Sequence, residues 1–329
     1  MYLRKNQNVR VSILTFALLT SLATGVNATT FNIYVASNGN NTVYEIPDDF
    51  SGAAVGSGQI FGNGYTGAYA LASLNTDVYV GQLNGQVYRK ASNVGGAGTG
   101  TLFATATASL YDMDFADSNN LHVAGSASNV QVFNSSGAPQ GTYSIAGAAG
   151  GIDYAPGDGV YLTKAIVGTN TIQLFTGAGT TYTDSTPAGL AAASFTQFLQ
   201  QIAKGPDGFL YAADFQSAVT TTNSKIYRVN PTTGVHTNLF PSGIVTVGVT
   251  PYGISPVGLD IGPDGKLYFT DYKNNYLFRS ALDGSNAEIV ATGFNSPTGI
   301  TFSLVPEPTS FGILSFGIIA VLTRCRRRK

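Results

Sequence analysis

An apolar residue, an aromatic ring and a second apolar residue recur together six times along this chain. They stand at Ile33-Tyr34-Val35, Val78-Tyr79-Val80, Leu121-His122-Val123, Val160-Tyr161-Leu162, Leu210-Tyr211-Ala212 and Leu267-Tyr268-Phe269. The steps between the central residues are 45, 43, 39, 50 and 57. Self-similarity at this spacing means one supersecondary unit per copy. The copy over residues 257–302 shows what the unit is. Val257–Ile261 alternates like a strand, Gly262-Pro263-Asp264-Gly265 turns, and Leu267–Asp271 is a second strand. After Lys273-Asn274-Asn275, Tyr276–Ser280 is a third, and after Leu282-Asp283-Gly284-Ser285, Ala287–Val290 is a fourth. Four short strands joined by tight turns make one antiparallel blade. Six copies predict an all-β, six-bladed propeller.

The ring also has a way to close. The first copy starts at Phe31 with no strand before it, and the last leaves a spare strand at Gly299–Phe302. That strand completes the first blade and removes the free sheet edge that would otherwise invite aggregation. Composition agrees: of 329 residues only 11% are charged, 40 are glycine, and there is no tryptophan. Few charges with many glycines and aromatics favour strands and turns over long helices. The lone cysteine, Cys325, permits neither an internal disulfide nor a cysteine metal cage.

Both ends differ from the middle. Residues 1–28 carry Arg4, Lys5 and Arg10, an apolar run from Val11 to Ala23, and small residues at Val26 and Ala28. This is the pattern of a signal peptide helix cleaved after Ala28. At the other end, Val305-Pro306-Glu307-Pro308 precedes an apolar run from Phe311 to Leu322 and then Thr323-Arg324-Cys325-Arg326-Arg327-Arg328-Lys329. The prolines stop any preceding element. The apolar run reads as a short transmembrane helix whose basic end stays in the cytoplasm. The domains are therefore 1–28, signal; 29–304, propeller; and 305–329, tail.

The tail resembles the PEP-CTERM sorting signal. That family joins a Pro-Glu-Pro motif, a short membrane segment and a terminal arginine cluster, here in that order at Pro306, Glu307, Pro308 and then Arg324, Arg326, Arg327, Arg328 and Lys329. The resemblance implies a Gram-negative type of bacterium, Sec export, passage through the inner membrane, and an exosortase as partner. It further implies release to the cell surface or extracellular matrix. Within the middle, Leu267–Asp271, Leu282–Ser285 and Pro297–Ile300 resemble a YWTD repeat, with Phe269 in place of that family's tryptophan. Gly205-Pro206-Asp207-Gly208-Phe209-Leu210-Tyr211 and Gly262–Tyr268 resemble NHL or SMP-30-type repeats. These resemblances cover 200–303 well and imply a propeller, not an activity.

The stretch between the two basic ends holds all 18 acidic residues against nine basic ones. Such a surface repels nucleic acid and accepts cations or neutral ligands. No catalytic constellation stands out. There is no Gly-x-Ser-x-Gly, His-Glu-x-x-His or Walker A pattern. Gly62-Asn63-Gly64-Tyr65-Thr66-Gly67 matches Gly-x-Gly-x-x-Gly but lacks the helix a phosphate cradle needs, so it reads as a turn between blades. Of the two histidines, His122 occupies the repeated aromatic slot, which makes it a packing residue. His236 falls on an outer strand. Asp214 and Asp271 end second strands and match a structural aspartate of the YWTD-like pattern. Residues 183–199 break the repeat and read as an insertion on one face or a plain long connection, with a short helix over Ala188–Gln200 capped by Thr186.

Asp114, Asp153 and Asp260 occupy equivalent places on three innermost strands, and Asp112 faces the same side as Asp114. Two readings stay open. The carboxylates either hold a hard divalent cation, Ca or Mg, in the channel, or they accept backbone N–H bonds and meet water. The first leads to a metal-dependent hydrolase like the SMP-30 and gluconolactonase enzymes, for which Glu45 is poorly placed. The second leads to a binding module for a glycan, protein or small molecule. A streptogramin-lyase-like enzyme is a third expectation and would need a histidine on a propeller face. The binding module is the reading the sequence favours.

Overall fold

The computed structural model describes residues 31–48, 58–92, 95–116, 119–145, 147–164, 170–195, 198–215 and 224–304. Ala28, Pro306-Glu307-Pro308 and the basic tail lie outside them. Among the described residues no helix is long and apolar enough to cross a membrane. They form six four-stranded sheets and one separate hairpin.

Counted outward from the axis, blade 1 holds Pro297–Leu304, Phe31–Ser37, Thr42–Asp48 and Gln59–Asn63. Blade 2 holds Ala68–Leu74, Asp77–Gln82, Gln86–Ala91 and Thr101–Thr105. Blade 3 holds Leu110–Phe115, Leu121–Gly125, Asn129–Phe133 and Pro139–Ser144. Blade 4 holds Ala149–Ala155, Gly159–Lys164, Thr171–Ala178 and Thr181–Asp184. Blade 5 holds Phe198–Lys204, Leu210–Phe215, Lys225–Val229 and His236–Asn238. Blade 6 holds Pro256–Ile261, Leu267–Asp271, Tyr276–Ser280 and Glu288–Ala291. The spare strand closes the ring as the sequence expects: Ile33 faces Phe302 and Val35 faces Ile300 in antiparallel register.

The meander fixes two faces. Inner strands begin, and second strands end, on what we term the upper face. The Gly-Pro-Asp-Gly turns lie on the lower face, where Gly265 supplies the positive φ of 73° that the turn requires.

The repeated aromatic explains how blades hold together. Tyr34, Tyr211 and Tyr268 are fully buried, and His122, Tyr79 and Tyr161 are no more than 2% exposed. Each ring packs into an apolar cluster. One such cluster joins Ile33, Val35 and Ile46 of blade 1 to Tyr268 and Leu277 of blade 6. Burying these faces is the main drive for assembling the ring. The phenol tips of blades 4 to 6 emerge at the lower rim onto turn carboxylates: Tyr161 on Asp158 at 2.9 Å, Tyr211 on Asp207 at 2.7 Å and Tyr268 on Asp264 at 3.2 Å.

Two segments depart from the repeat. The helix expected over Ala188–Gln200 is only a single turn, Ala188–Ala191, that follows Pro187 with no side-chain cap, because Phe198–Lys204 is taken up as the inner strand of blade 5. Thr186 does not cap it; its Oγ1 instead accepts the Leu174 N–H at 2.8 Å. Four residues make too few bonds to sustain a free helix, and this one is held by Leu190, which is fully buried between blades 4 and 5. Leu190, Ala193 and Phe195 thus anchor the insertion between blades 4 and 5, while Thr183–Ser185, Ala188, Ala191, Ala192, Ser194 and Phe198 stay exposed. A hairpin, Ile244–Val247 with Thr250–Gly253, precedes blade 6 and accounts for the longest repeat step.

Candidate functional site

The register of each blade places one inner-strand residue opposite the repeated aromatic. These residues are Thr301, Ala72, Asp114, Asp153, Ala203 and Asp260. The three aspartates therefore share one level of the channel, as their spacing suggested. They line an axial cavity of about 50 Å³ together with Asp112 and Gln201. That volume suits one or two water molecules and is far below the few hundred Å³ of an ordinary small-molecule site.

The carboxylates are committed to the fold. Asp112 accepts the Ile152 N–H at 2.9 Å and the Gln201 side-chain amide at 2.8 Å. Asp114 accepts Tyr154 N–H at 2.7 Å and Phe115 N–H at 2.8 Å. Asp153 accepts Lys204 N–H at 2.9 Å, and Asp260 accepts Ile261 N–H at 2.7 Å. Gln201 in turn accepts Leu259 N–H at 2.8 Å. Aspartates of blades 3 and 4 and the glutamine of blade 5 thus each stitch their inner strand to the next blade.

Burial, then mutual repulsion, makes these acids weak. Loss of solvation pushes Asp114 up to about 6. It pushes Asp153 up to about 8, with the Asp114 charge adding to the rise. Asp112 and Asp260 are raised well above the usual range, again by burial first and neighbouring carboxylates after. The donor set does not fit the divalent metal that an SMP-30-like enzyme would need. Among the described residues no three His, Cys, Asp or Glu side chains are arranged to hold an ion. Glu45 lies off the axis, bonded to Asn32 and, at 3.1 Å, to the Tyr34 hydroxyl.

The histidines are also away from the axis. His122 is buried, with Nδ1 3.1 Å from the Tyr143 hydroxyl and its ring edge-on to Tyr182. His236 lies on the outer strand of blade 5, tilted against Phe195 and edge-on to Tyr227, and its Nδ1 donates to Gly234 O at 3.0 Å. Asp271 organises a turn, accepting Ser255, Lys273 and Asn274 N–H groups and the Asn274 amide. Asp214 occupies the matching place in blade 5, fully buried. Gly62-Asn63 ends the outer strand of blade 1, and Gly64–Gly67 connects it to blade 2.

Residues that the repeat did not single out form the upper mouth. Tyr69 of blade 2 reaches across the axis, and its hydroxyl donates to Gln200 Oε1 of blade 5 at 3.3 Å. Tyr111 of blade 3 packs against Tyr69 with centroids 5.9 Å apart. On the other side Phe215 meets Tyr272 edge-on at 5.5 Å, and Phe198, paired with Phe215 in register, is 40% exposed. Phe198, Phe215, Tyr272, Tyr69 and Tyr111 thus form an arc of partly exposed rings around a bridged axis. Their only shared signal in the sequence is position, since each stands at the upper end of a first or second strand.

No family model matches the chain, and no characterised protein matches it by sequence. Solved structures do. The chain is similar to one from a nidogen/laminin complex, with TM-score 0.61 at 14% identity, over 83% of this chain and 98% of that one. A protein of unknown function from Bacteroides caccae gives TM-score 0.56 at 10% identity, over 85% and 100%. The WD40 β-propeller domain of Doa1 gives 0.51 at 8%, over 83% and 86%. At such identities the likeness establishes the fold alone: the protein is a six-bladed β-propeller of four-stranded blades.

Proposed function

We propose that the chain is an exported binding module. On this reading it crosses the inner membrane by its N-terminal signal, is sorted through Pro306-Glu307-Pro308 by an exosortase, and acts at the cell surface or in the extracellular matrix through its upper face. One observation carries the reading. The axis is a small cavity crossed by Tyr69–Gln200 and Asp112–Gln201, with no space for a substrate, while an arc of five aromatic rings frames it on the outside. Partly exposed tyrosines gathered on one face offer contact area together with polar tips, which is how recognition surfaces are built.

The test is to follow the full chain in a Gram-negative host that has an exosortase. The expected result is a chain that leaves the membrane fraction and stays with the matrix after washing. Glu307→Ala should hold it in the membrane, and the double variant Tyr111→Ala/Tyr272→Ala should let the exported chain wash off the matrix. Export followed by free diffusion of the unaltered chain, or chelator-sensitive lactone hydrolysis by the pure protein, would overturn the reading.

A further inference from the structure

Charge is divided between the two faces in a way that points to a ligand. The described residues contain nine cationic side chains. Five of them, Arg89, Lys204, Arg228, Lys266 and Arg279, pair with carboxylates of the lower half. Lys90 is buried and donates to the carbonyls of Phe61, Gly96 and Gly98. The remaining three, Lys164, Lys225 and Lys273, have no ion pair among the described residues. Lys164 ends the second strand of blade 4, Lys225 begins the third strand of blade 5, and Lys273 lies in the second-to-third turn of blade 6. All three therefore stand at the upper ends of neighbouring blades. Of the carboxylates that reach this face, Asp214 and Asp271 are fully buried beneath it, and Asp184, exposed at the end of the fourth strand of blade 4, is tied to the Gln173 amide and the Thr186 hydroxyl. In contrast, Asp77, Asp158, Asp207, Asp264, Asp283 and Glu288 all sit at lower turns and strand ends. A chain with a net negative propeller thus gathers its unpaired cations beside the aromatic arc, three of whose rings, Phe198, Phe215 and Tyr272, come from the same blades 5 and 6.

We infer that the upper face binds an acidic polysaccharide, an inference that rests on the binding-module reading above. The arc supplies faces on which the C–H sides of sugar rings stack, and the phenol tips and the Gln200 amide supply hydrogen bonds to hydroxyls. The surrounding connections, such as Asn38–Asn41 and Ser126–Ser128, are uncharged and rich in amides and hydroxyls. The three lysines add anion-binding points spread over three blades, which suits carboxylates repeated along a polymer. Three cations on an otherwise negative domain are too few for the phosphate density of nucleic acid. Nor do they make the dense basic cluster that marks an anionic lipid surface.

The test uses the full chain in mild detergent, with polygalacturonate, neutral dextran and single-stranded DNA as probes in affinity electrophoresis. The expected result is retardation by polygalacturonate that weakens as salt screens the lysines. Lys225→Gln/Lys273→Gln should weaken it roughly tenfold and flatten its salt dependence, and Tyr111→Ala should weaken it at every salt concentration. The lysine variant should melt within a few degrees of the parent, since it gives up only the Lys225 contact over the Tyr227 ring, and Tyr111→Ala, which gives up packing against Tyr69, should still unfold in one cooperative transition. Equal retention by dextran, unmoved by salt or by the lysine changes, would overturn the inference, as would tighter retention by DNA. Absence of any glycan retention by a chain that still holds to matrix would reject the acidic polysaccharide and leave the binding module standing. Loss of matrix attachment altogether would remove both.

Discussion

The hydroxyl of Tyr69 lies 3.3 Å from Gln200 Oε1, joining two blades that face each other across the propeller axis. Burial also pushes the Tyr69 phenol well up, so it remains a hydrogen-bond donor at any working pH. Tyr69→Phe removes the bridge with little change of shape. It should cost about 0.5–1.5 kcal/mol, the net worth of one such bond. Tyr69→Ala should cost about 3–5 kcal/mol, because it also empties the ring's place over the axis. Urea unfolding measures both. Equal stability of Tyr69→Phe and Tyr69→Ala would mean that the ring contributes no packing.

The axial acids give the protein an unusual pH dependence. In the unfolded chain an aspartate ionises near 3.9. In the fold, burial raises Asp114 to about 6 and Asp153 to about 8, and Asp112 and Asp260 move the same way. The folded state therefore binds more protons across this window, and stability falls as pH rises from about 4 to about 8. The groups that face the cluster are these four acids and Lys204, with Tyr69 toward Asp112. Asp158, held low by its bond to Lys204, and Asp207 act oppositely, losing their contribution only as pH drops below about 4. The melting temperature should rise by several degrees between pH 8 and pH 5. Asp153→Asn, which keeps an oxygen for Lys204 N–H, should raise it at pH 8 and flatten the profile. A melting temperature that climbs steadily from pH 5 to pH 8 would refute this account.

Much of the ring was legible because it is written redundantly. The slot filled by Tyr34, Tyr79, His122, Tyr161, Tyr211 and Tyr268 must pack between blades every time, so selection of shape leaves a visible period. The level shared by Asp114, Asp153 and Asp260 followed from that period. The commitment of these acids to backbone N–H groups did not, because it depends on how closely adjacent inner strands approach. The upper mouth was hidden for a related reason. Inner strands shift register before the axial level, between Ala68 and Ala70, Leu110 and Asp112, and Leu199 and Ile202. A bulge breaks the alternation by which a period-two reading assigns sides, so Tyr69, Tyr111 and Gln200 could not be placed around one axis. The hairpin at Ile244–Gly253 was hidden within the longest repeat step.

Blades 5 and 6 carry the same lower-rim arrangement at different depths, which makes a paired prediction. Arg228 binds Asp207 and the Tyr211 hydroxyl, with its side chain 31% exposed. Arg279 binds Glu288 at 2.7 Å and the Tyr268 hydroxyl at 2.9 Å, with its side chain 2% exposed. Solvent screens the first pair, so Arg228→Ala should cost less than about 1 kcal/mol. Removing the second leaves the buried Tyr268 hydroxyl and the half-buried Glu288 without the cation that lies between them, and Arg279→Ala should cost about 3 kcal/mol. Denaturant titration of both variants decides the matter; similar losses would mean that burial does not set the value of this motif.

The ring closes through a single hydroxyl as much as through a strand. Thr270 Oγ1 accepts Gly258 N–H at 2.8 Å and donates to Thr298 O at 2.7 Å, tying the inner strand of blade 6 to the strand that completes blade 1. The backbones approach so closely there that a Cβ on Gly258 would sit 1.8 Å from Thr298 O. Thr270→Val keeps the shape but leaves a buried donor and a buried acceptor unmet, at about 1–3 kcal/mol each. Gly258→Ala must push the closing strand away and should be worse. Hydrogen exchange locates the damage: both variants should lose protection first in Pro297–Leu304 and Phe31–Ser37, where closure is made, and keep it in blades 3 and 4. Uniform loss across all six blades would mean that the ring opens nowhere in particular, and the closure would not be its weak point.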